Sequence, residues 1–292
     1  MTDRPRRSAL YMPASNPRAI EKARSLDCDV VILDLEDAVL PEMKDAAREA
    51  AVAAVQGGGF GRREVAIRVN ALETPWGAAD LAAAAGAGPD AVIAPKIRGP
   101  KDVAAYAAGL RGAPAQTRLW LMIETPQAIL RLDAIAGAGG EGRLSGLVIG
   151  LNDLAKEMRA RQTPDRAPFQ AALALTVAAA RAHGLVALDG VHNEIEDLDL
   201  LATTCRQGAD LGFDGRSLIH PSHLAICNAA YAPPEDEVSW AREVIAAFAA
   251  PENAGKGALR VLGRLAEPLH LTEARRIVAV AEAIAAATIA AA

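Results

Sequence analysis

The chain has 292 residues, 51% of them apolar, enough for a large core and incompatible with an intrinsically disordered polypeptide. Lys and Arg number 31 against 36 Asp and Glu, a net charge of −5, so the basic excess of a nucleic-acid binder is absent. Aromatic residues make up only 3%, which leaves little for base or sugar stacking, and the three cysteines (Cys28, Cys205, Cys227) lack CxxC spacing, which points away from a disulfide framework and towards a reducing cytoplasm.

No apolar h-region follows the N-terminal run Met1-Thr2-Asp3-Arg4-Pro5-Arg6-Arg7, so no secretory signal is expected. Short β-rich runs then alternate with longer Ala-rich stretches. The predicted strands are 8–12, 30–35, 65–70, 91–95, 118–123, 146–150, 186–189 and, weakly, 212–217. The predicted helices are 17–26, 44–55, 78–85, 102–110, 126–136, 168–183 and 195–208. Eight such units predict an α/β fold of the (β/α)8 TIM-barrel type. The rival, a doubly wound sheet, would place GxGxxG after the first strand, and none stands there. Gly57-Gly58-Gly59 follows a helix and reads as a helix-to-strand turn.

The pattern changes at Pro233-Pro234. Residues 1–232 are expected to form the catalytic barrel and 233–292 a helical extension, with helices over 235–249 and from about 271 to the end. That extension is either a lid or an arm on a neighbouring subunit. Its last residues are apolar, but Arg275, Arg276 and Glu282 interrupt any membrane span, so no membrane partner is expected.

In such a barrel the chemistry sits at the carboxyl ends of the strands. Six consecutive predicted strands end in polar groups: Asp34-Leu35-Glu36-Asp37, Arg68-Val69-Asn70, Pro95-Lys96, Glu124-Thr125, Asn152-Asp153 and Asp189. A set rich in carboxylates with no Cys–His pairs suits a hard cation. Glu124 and Asp153 could supply two oxygens to Mg²⁺, or Mn²⁺ in its place. Glu36 and Asp37 would accept hydrogen bonds from metal-bound water. Arg68 and Lys96 would hold a substrate carboxylate and a developing oxyanion. Any one of these residues alone could equally be a surface ion pair or a helix cap. His220 reads as a loop hydrogen-bonding group, His192, just after the seventh strand, as a weaker candidate for orienting site groups from behind, and Cys205 as a small buried apolar residue.

The stretches Arg7-Ser8-Ala9-Leu10-Tyr11-Met12-Pro13, Leu33-Asp34-Leu35-Glu36-Asp37-Ala38-Val39, Arg68-Val69-Asn70, Pro95-Lys96, Glu124-Thr125, Asn152-Asp153-Leu154 and Ile219-His220-Pro221 keep, in order and approximate spacing, a familiar set of motifs. With them the chain resembles the citrate lyase β-subunit-like CoA ester lyases of the HpcH/HpaI aldolase superfamily, which include malyl-CoA and citramalyl-CoA lyases. The resemblance implies a Mg²⁺-dependent enzyme that cleaves or forms the C–C bond of a 3-hydroxyacyl-CoA such as malyl-CoA, β-methylmalyl-CoA or citramalyl-CoA. It assigns Glu124 and Asp153 to the metal, Arg68 to the substrate, Glu36 and Asp37 to metal-bound water, and Lys22 to the CoA portion. Asn16 stands where some relatives carry a phosphate-binding arginine. In the tail, Glu267 replaces the usual aspartate, and three readings stay open for it: acid/base group, marker of a shift to (S)-malyl-CoA hydrolysis on the same site, or solvated residue. A citrate-lyase-like subunit acting on an acyl-carrier thioester, or an aldolase of free 2-oxo acids, are further alternatives. The expected assembly is a homotrimer or homohexamer.

Overall fold

The computed structural model describes residues 4–139 and 142–289, and the expectations for residues 1–3 and 290–292 lie outside them. The described residues fall into two compact units, Arg6–Tyr231, and the residues from Ala232 onward joined by Arg4 and Pro5.

The first unit runs β1 (Ser8–Pro13), α1 (Pro17–Ala23), β2 (Val30–Asp34), α2 (Lys44–Gly57), β3 (Glu64–Arg68), α3 (Gly77–Ala87), β4 (Ala91–Ala94), α4 (Pro100–Gly109), β5 (Arg118–Ile123), α5 (Pro126–Ile129), α6 (Leu132–Gly137), β6 (Leu144–Ile149), α7 (Leu151–Met158), α8 (Gln170–Ala182), β7 (Val186–Asp189), α9 (Leu198–Leu211), β8 (Gly215–Leu218) and α10 (Leu224–Ala230). The eight strands pair in sequence order, all parallel, and β1 closes on β8. This is the TIM-barrel fold the alternation predicts.

Successive side chains on a strand point to opposite faces, and the strands obey that period throughout. Ala9, Tyr11, Val30, Ile32, Ala66, Ala91, Ile93, Trp120, Met122 and Val148 fill the interior. Their neighbours Leu10, Leu33, Ile67, Val92, Leu121 and Ile149 pack against the helices. The same period aims Asp34, Arg68 and Glu124 inward at the strand ends, above the apolar plug.

Three features differ from the sequence reading. The eighth strand begins at Gly215 rather than 212, because Gly212 ends α9 in the left-handed conformation (φ 94). A Cβ at Gly215 would lie 1.8 Å from the Arg6 carbonyl oxygen, so only glycine admits the closing strand there. The helix predicted over 126–136 breaks at Leu130-Arg131 into α5 and α6. Leu151–Met158, expected as strand end and loop, is a helix whose first turn carries Asp153.

The second unit contains α11 (Glu235–Ala249), the two-stranded antiparallel hairpin β9 (Leu259–Val261) and β10 (Arg264–Ala266), and α12 (Pro268–Ile289). Ala241, Val244, Leu259, Val261, Ala266, Ala274 and Ile277 form its own small core. Leu262 and Gly263 turn the hairpin with φ of 45° and 81°, the pair of positive values that a two-residue hairpin turn favours.

Candidate active site

β2 and β3 run in register with Asp34 beside Arg68. The Arg68 guanidinium donates from Nε to Asp34 Oδ1 and from Nη2 to Asp34 Oδ2, both at 2.7 Å. Its remaining nitrogen, Nη1, lies 3.0 Å from Glu36 Oε2 and 3.5 Å from Asp37 Oδ2. The Tyr11 ring sits beneath the guanidinium, 4.6 Å from it. Asp34 therefore locks one edge of Arg68 and leaves Nη1 turned to the barrel mouth. Burial alone would raise the Asp34 carboxyl, but Arg68 and the backbone N–H groups of Glu36 and Ala38 hold it below its ordinary value.

Glu36 is carried by a loop that is itself tied down. Lys44 Nζ donates to the carbonyls of Leu35 and Glu36 at 2.8 and 2.7 Å and to Asn70 Oδ1 at 2.8 Å. Asn70 Nδ2 returns to Leu35 O at 2.8 Å and to Asp80 Oδ2 at 2.6 Å. Within this frame burial pushes the Glu36 carboxyl up to about 8, with Arg68 opposing and Glu124 and Asp37 adding to the rise. Oε2 of Glu36 is buried, and its contact is the ion pair with Arg68 Nη1 rather than a well-aligned hydrogen bond. Asp37 is mostly exposed at the rim, its side chain 61% accessible.

Glu124 follows β5 and is fully buried, which raises its carboxyl even though Lys96 and Arg68 oppose the shift. Room for it comes from Gly150 at the end of β6, where a Cβ would stand 2.6 Å from Glu124 Oε2 and 2.7 Å from Glu124 Cβ. Lys96, two residues beyond β4, has φ 54, and its backbone N–H donates to Glu124 Oε1 at 2.7 Å. Its Nζ lies 3.5 Å from the same oxygen and 3.8 Å from Glu36 Oε1, and donates to Asp153 Oδ2. Burial would lower the ammonium, but the carboxylates of Glu124, Glu36 and Asp153 push it up to about 12.

The barrel thus brings together Glu36, Asp37, Arg68, Lys96, Glu124 and Asp153 of the residues singled out by sequence. Others of the barrel unit lie outside that cluster. Asn16 caps α1, its Oδ1 accepting from the Ala19 amide at 3.1 Å, and Lys22 is exposed in the last turn of that helix. Glu267 belongs to the second unit, where its amide donates to His270 Nδ1 at 3.0 Å. Asp189 faces the helices rather than the mouth, and Arg166 Nη1 donates to both its oxygens at 2.8 and 2.7 Å. His192 bonds the Asp197 carbonyl and His220 a neighbouring serine, both local loop contacts. Asp34 and Tyr11 are functional neighbours that the motifs contain but sequence spacing left without a role. An inward strand position level with an arginine was the available signal.

Among the described residues no three His, Cys, Asp or Glu side chains form a ready-made metal cluster. A two-carboxylate site is nonetheless what Mg²⁺ uses when water and substrate complete its shell. The donors here are all oxygen, Glu124 and Asp153 converge on one positive nitrogen, and Glu36 Oε1 lies 3.8 Å from that nitrogen. These residues fit a hard dication.

Residues 7–221 match the HpcH/HpaI aldolase/citrate lyase family. Among curated relatives, a (3S)-malyl-CoA thioesterase of Cereibacter sphaeroides is 46% identical over 97% of this chain and 96% of that protein. An L-malyl-CoA/beta-methylmalyl-CoA lyase of the same species is 32% identical, again over 97% and 96%. Among solved structures, the CitE protein of Mycobacterium tuberculosis in complex with magnesium, acetoacetate and coenzyme A aligns with a TM-score of 0.77, 29% identity and coverage of 96% and 99%. With this motif set on this barrel, the chain belongs to the HpcH/HpaI aldolase/citrate lyase family.

Proposed function

We propose that this chain hydrolyses a 3-hydroxyacyl-CoA thioester of the (3S)-malyl-CoA type to the hydroxy acid and free CoA, with a divalent cation held by Glu124 and Asp153. The observation that carries the hydrolytic outcome is the 46% identity to a malyl-CoA thioesterase across nearly the whole chain, against 32% to the lyase. It revises the C–C lyase outcome expected from the motifs, because both outcomes draw on the same site residues. Support for the metal comes from the oxygen-only donor set and from a family neighbour crystallised with magnesium and CoA.

When bound, Mg²⁺ (or Mn²⁺) supplies positive charge that polarises substrate oxygens. Glu124 and Asp153 hold it. Arg68, fixed from behind by Asp34, shares Nη1 between Glu36 and an arriving substrate carboxylate or developing oxyanion. Glu36, its carboxyl raised to about 8, takes the proton of the attacking water in its ionised form, and Asp37 orders water at the rim. Water adds its oxygen to the thioester carbonyl, the C–S bond breaks, and the thiolate leaves as CoA after protonation. Asn16 and Lys22 are assigned to the CoA portion, and Glu267 to an acid/base role supplied from the C-terminal unit of a neighbouring copy in a homotrimer or homohexamer. A cytoplasmic setting fits these assignments, and no helix among the described residues is long and apolar enough to cross a membrane.

The second reading is C–C cleavage, favoured by the lyase relative. Incubation of the isolated chain with (3S)-malyl-CoA and Mg²⁺ separates the two. Malate with free CoA supports hydrolysis, glyoxylate with acetyl-CoA transfers the proposal to cleavage, and an untouched thioester rejects both.

A further inference from the structure

We infer that Lys96 is an internal competitor for the cation at the barrel mouth, its ammonium and a divalent cation excluding one another from the Glu124–Asp153 pair. The inference rests on the metal reading above and concerns what the chain itself brings to that equilibrium.

Three carboxylates, from the loop after β2, the end of β5 and the first turn of α7, converge on one nitrogen. Lys96 Nζ donates to Asp153 Oδ2 and stands 3.5 Å from Glu124 Oε1 and 3.8 Å from Glu36 Oε1. The convergence is built into the backbone. At φ 54 Lys96 occupies the left-handed region that a residue with a Cβ enters only when surrounding contacts impose it. The contact that does so is its own amide, donating to Glu124 Oε1 at 2.7 Å. Amide and ammonium thus address the same carboxylate, and the side chain, 21% accessible, curls over the site instead of extending into solvent.

The neighbouring cations make their main bonds to groups other than Glu124 and Asp153. Arg68 is forked onto Asp34 with Nη1 on Glu36, and Lys44 bonds two carbonyls and Asn70. Among the described residues Lys96 is the cation paired with both Glu124 and Asp153. A dication on those oxygens would face a like charge at contact distance in a partly buried site, where repulsion is weakly screened. One of the two must leave. Binding of the cation therefore releases the ammonium towards the mouth, where an anionic thioester enters, and metal occupancy and substrate binding become linked through one side chain.

The test is Mn²⁺ binding, followed by electron paramagnetic resonance of the free ion, in wild type, K96M and K96Q without substrate. Competition predicts at least roughly tenfold tighter Mn²⁺ binding in both variants. It also predicts that a K96C variant alkylated with bromoethylamine, which restores an ammonium at matched length, returns to the wild-type affinity. Unchanged or weaker binding in variants with native circular dichroism overturns the inference while leaving the metal site in place. Absence of Mn²⁺ binding in wild type and variants alike rejects the metal reading, and the inference with it.

Discussion

Replacing Asp34 by Asn removes the partner that holds Arg68. The two bonds are short, 2.7 Å each, and the side chains are 9% and 1% accessible, so the change leaves a buried guanidinium facing an amide that cannot accept twice. Removing one partner of a buried pair costs about 3–5 kcal/mol. Arg68 keeps Glu36 at 3.0 Å and the Tyr11 ring, which places this loss near the lower end, about 3 kcal/mol. For a domain of this size that corresponds to a fall in Tm of about 6–12 °C. The pH dependence carries a sign. The Asp34 carboxyl is held below its ordinary value, so its contribution is complete above an unfolded pKa of about 3.9 and fades as pH drops through the folded value. Calorimetry of wild type and D34N from pH 7 to pH 3 is the assay. A Tm deficit that is full at pH 7 and narrows in acid is expected. A deficit below about 1 kcal/mol at pH 7, or one that persists unchanged at low pH, refutes the fork as the element that anchors Arg68.

Glu36 shows the opposite sign. Its carboxyl is pushed up to about 8, so between an unfolded value of about 4.3 and that pH the folded chain holds the extra proton and wild type loses stability as pH rises. In EDTA buffer, E36Q should gain Tm on wild type from pH 5 to pH 8 and level off above, and parallel curves would contradict the burial argument. G150A forces a methyl to within 2.7 Å of Glu124 Cβ and so displaces that carboxylate. A displacement near 1 Å costs roughly 100-fold in rate, and the overpacking about 1–3 kcal/mol. Steady-state kinetics and thermal melts of G150A check both, and wild-type values would show that Glu124 has room the structure denies it.

Much of this was legible in the sequence because strand ends in a barrel carry their own label. A buried strand reads as an apolar run, and the run stops where a charged inward position begins. β5 and β7 fall where predicted, at 118–123 and 186–189, and so does α11 at 235–249. Elements too short for a period were not legible. α7 spans eight residues and starts behind Gly150, with no Ser, Thr, Asp or Asn cap to announce it, so Asp153 was read as lying on a strand end. β9 and β10 have three residues each, below the length at which alternation can be seen. Asp34 stood in plain view within its motif, but its pairing depends on the register between β2 and β3, which no single-chain pattern encodes. Lys96 was assigned to substrate on residue type alone. The positive φ that turns it onto Glu124 is a property of the folded loop.

The proposed hydrolysis depends on a dication bound through Glu124 and Asp153. The most direct measurement is turnover of (3S)-malyl-CoA by wild type and by E124Q, each with saturating Mg²⁺ and again in EDTA. Turnover confined to wild type with Mg²⁺ is the expected result. Turnover that survives both chelation and the loss of the Glu124 carboxylate would contradict it.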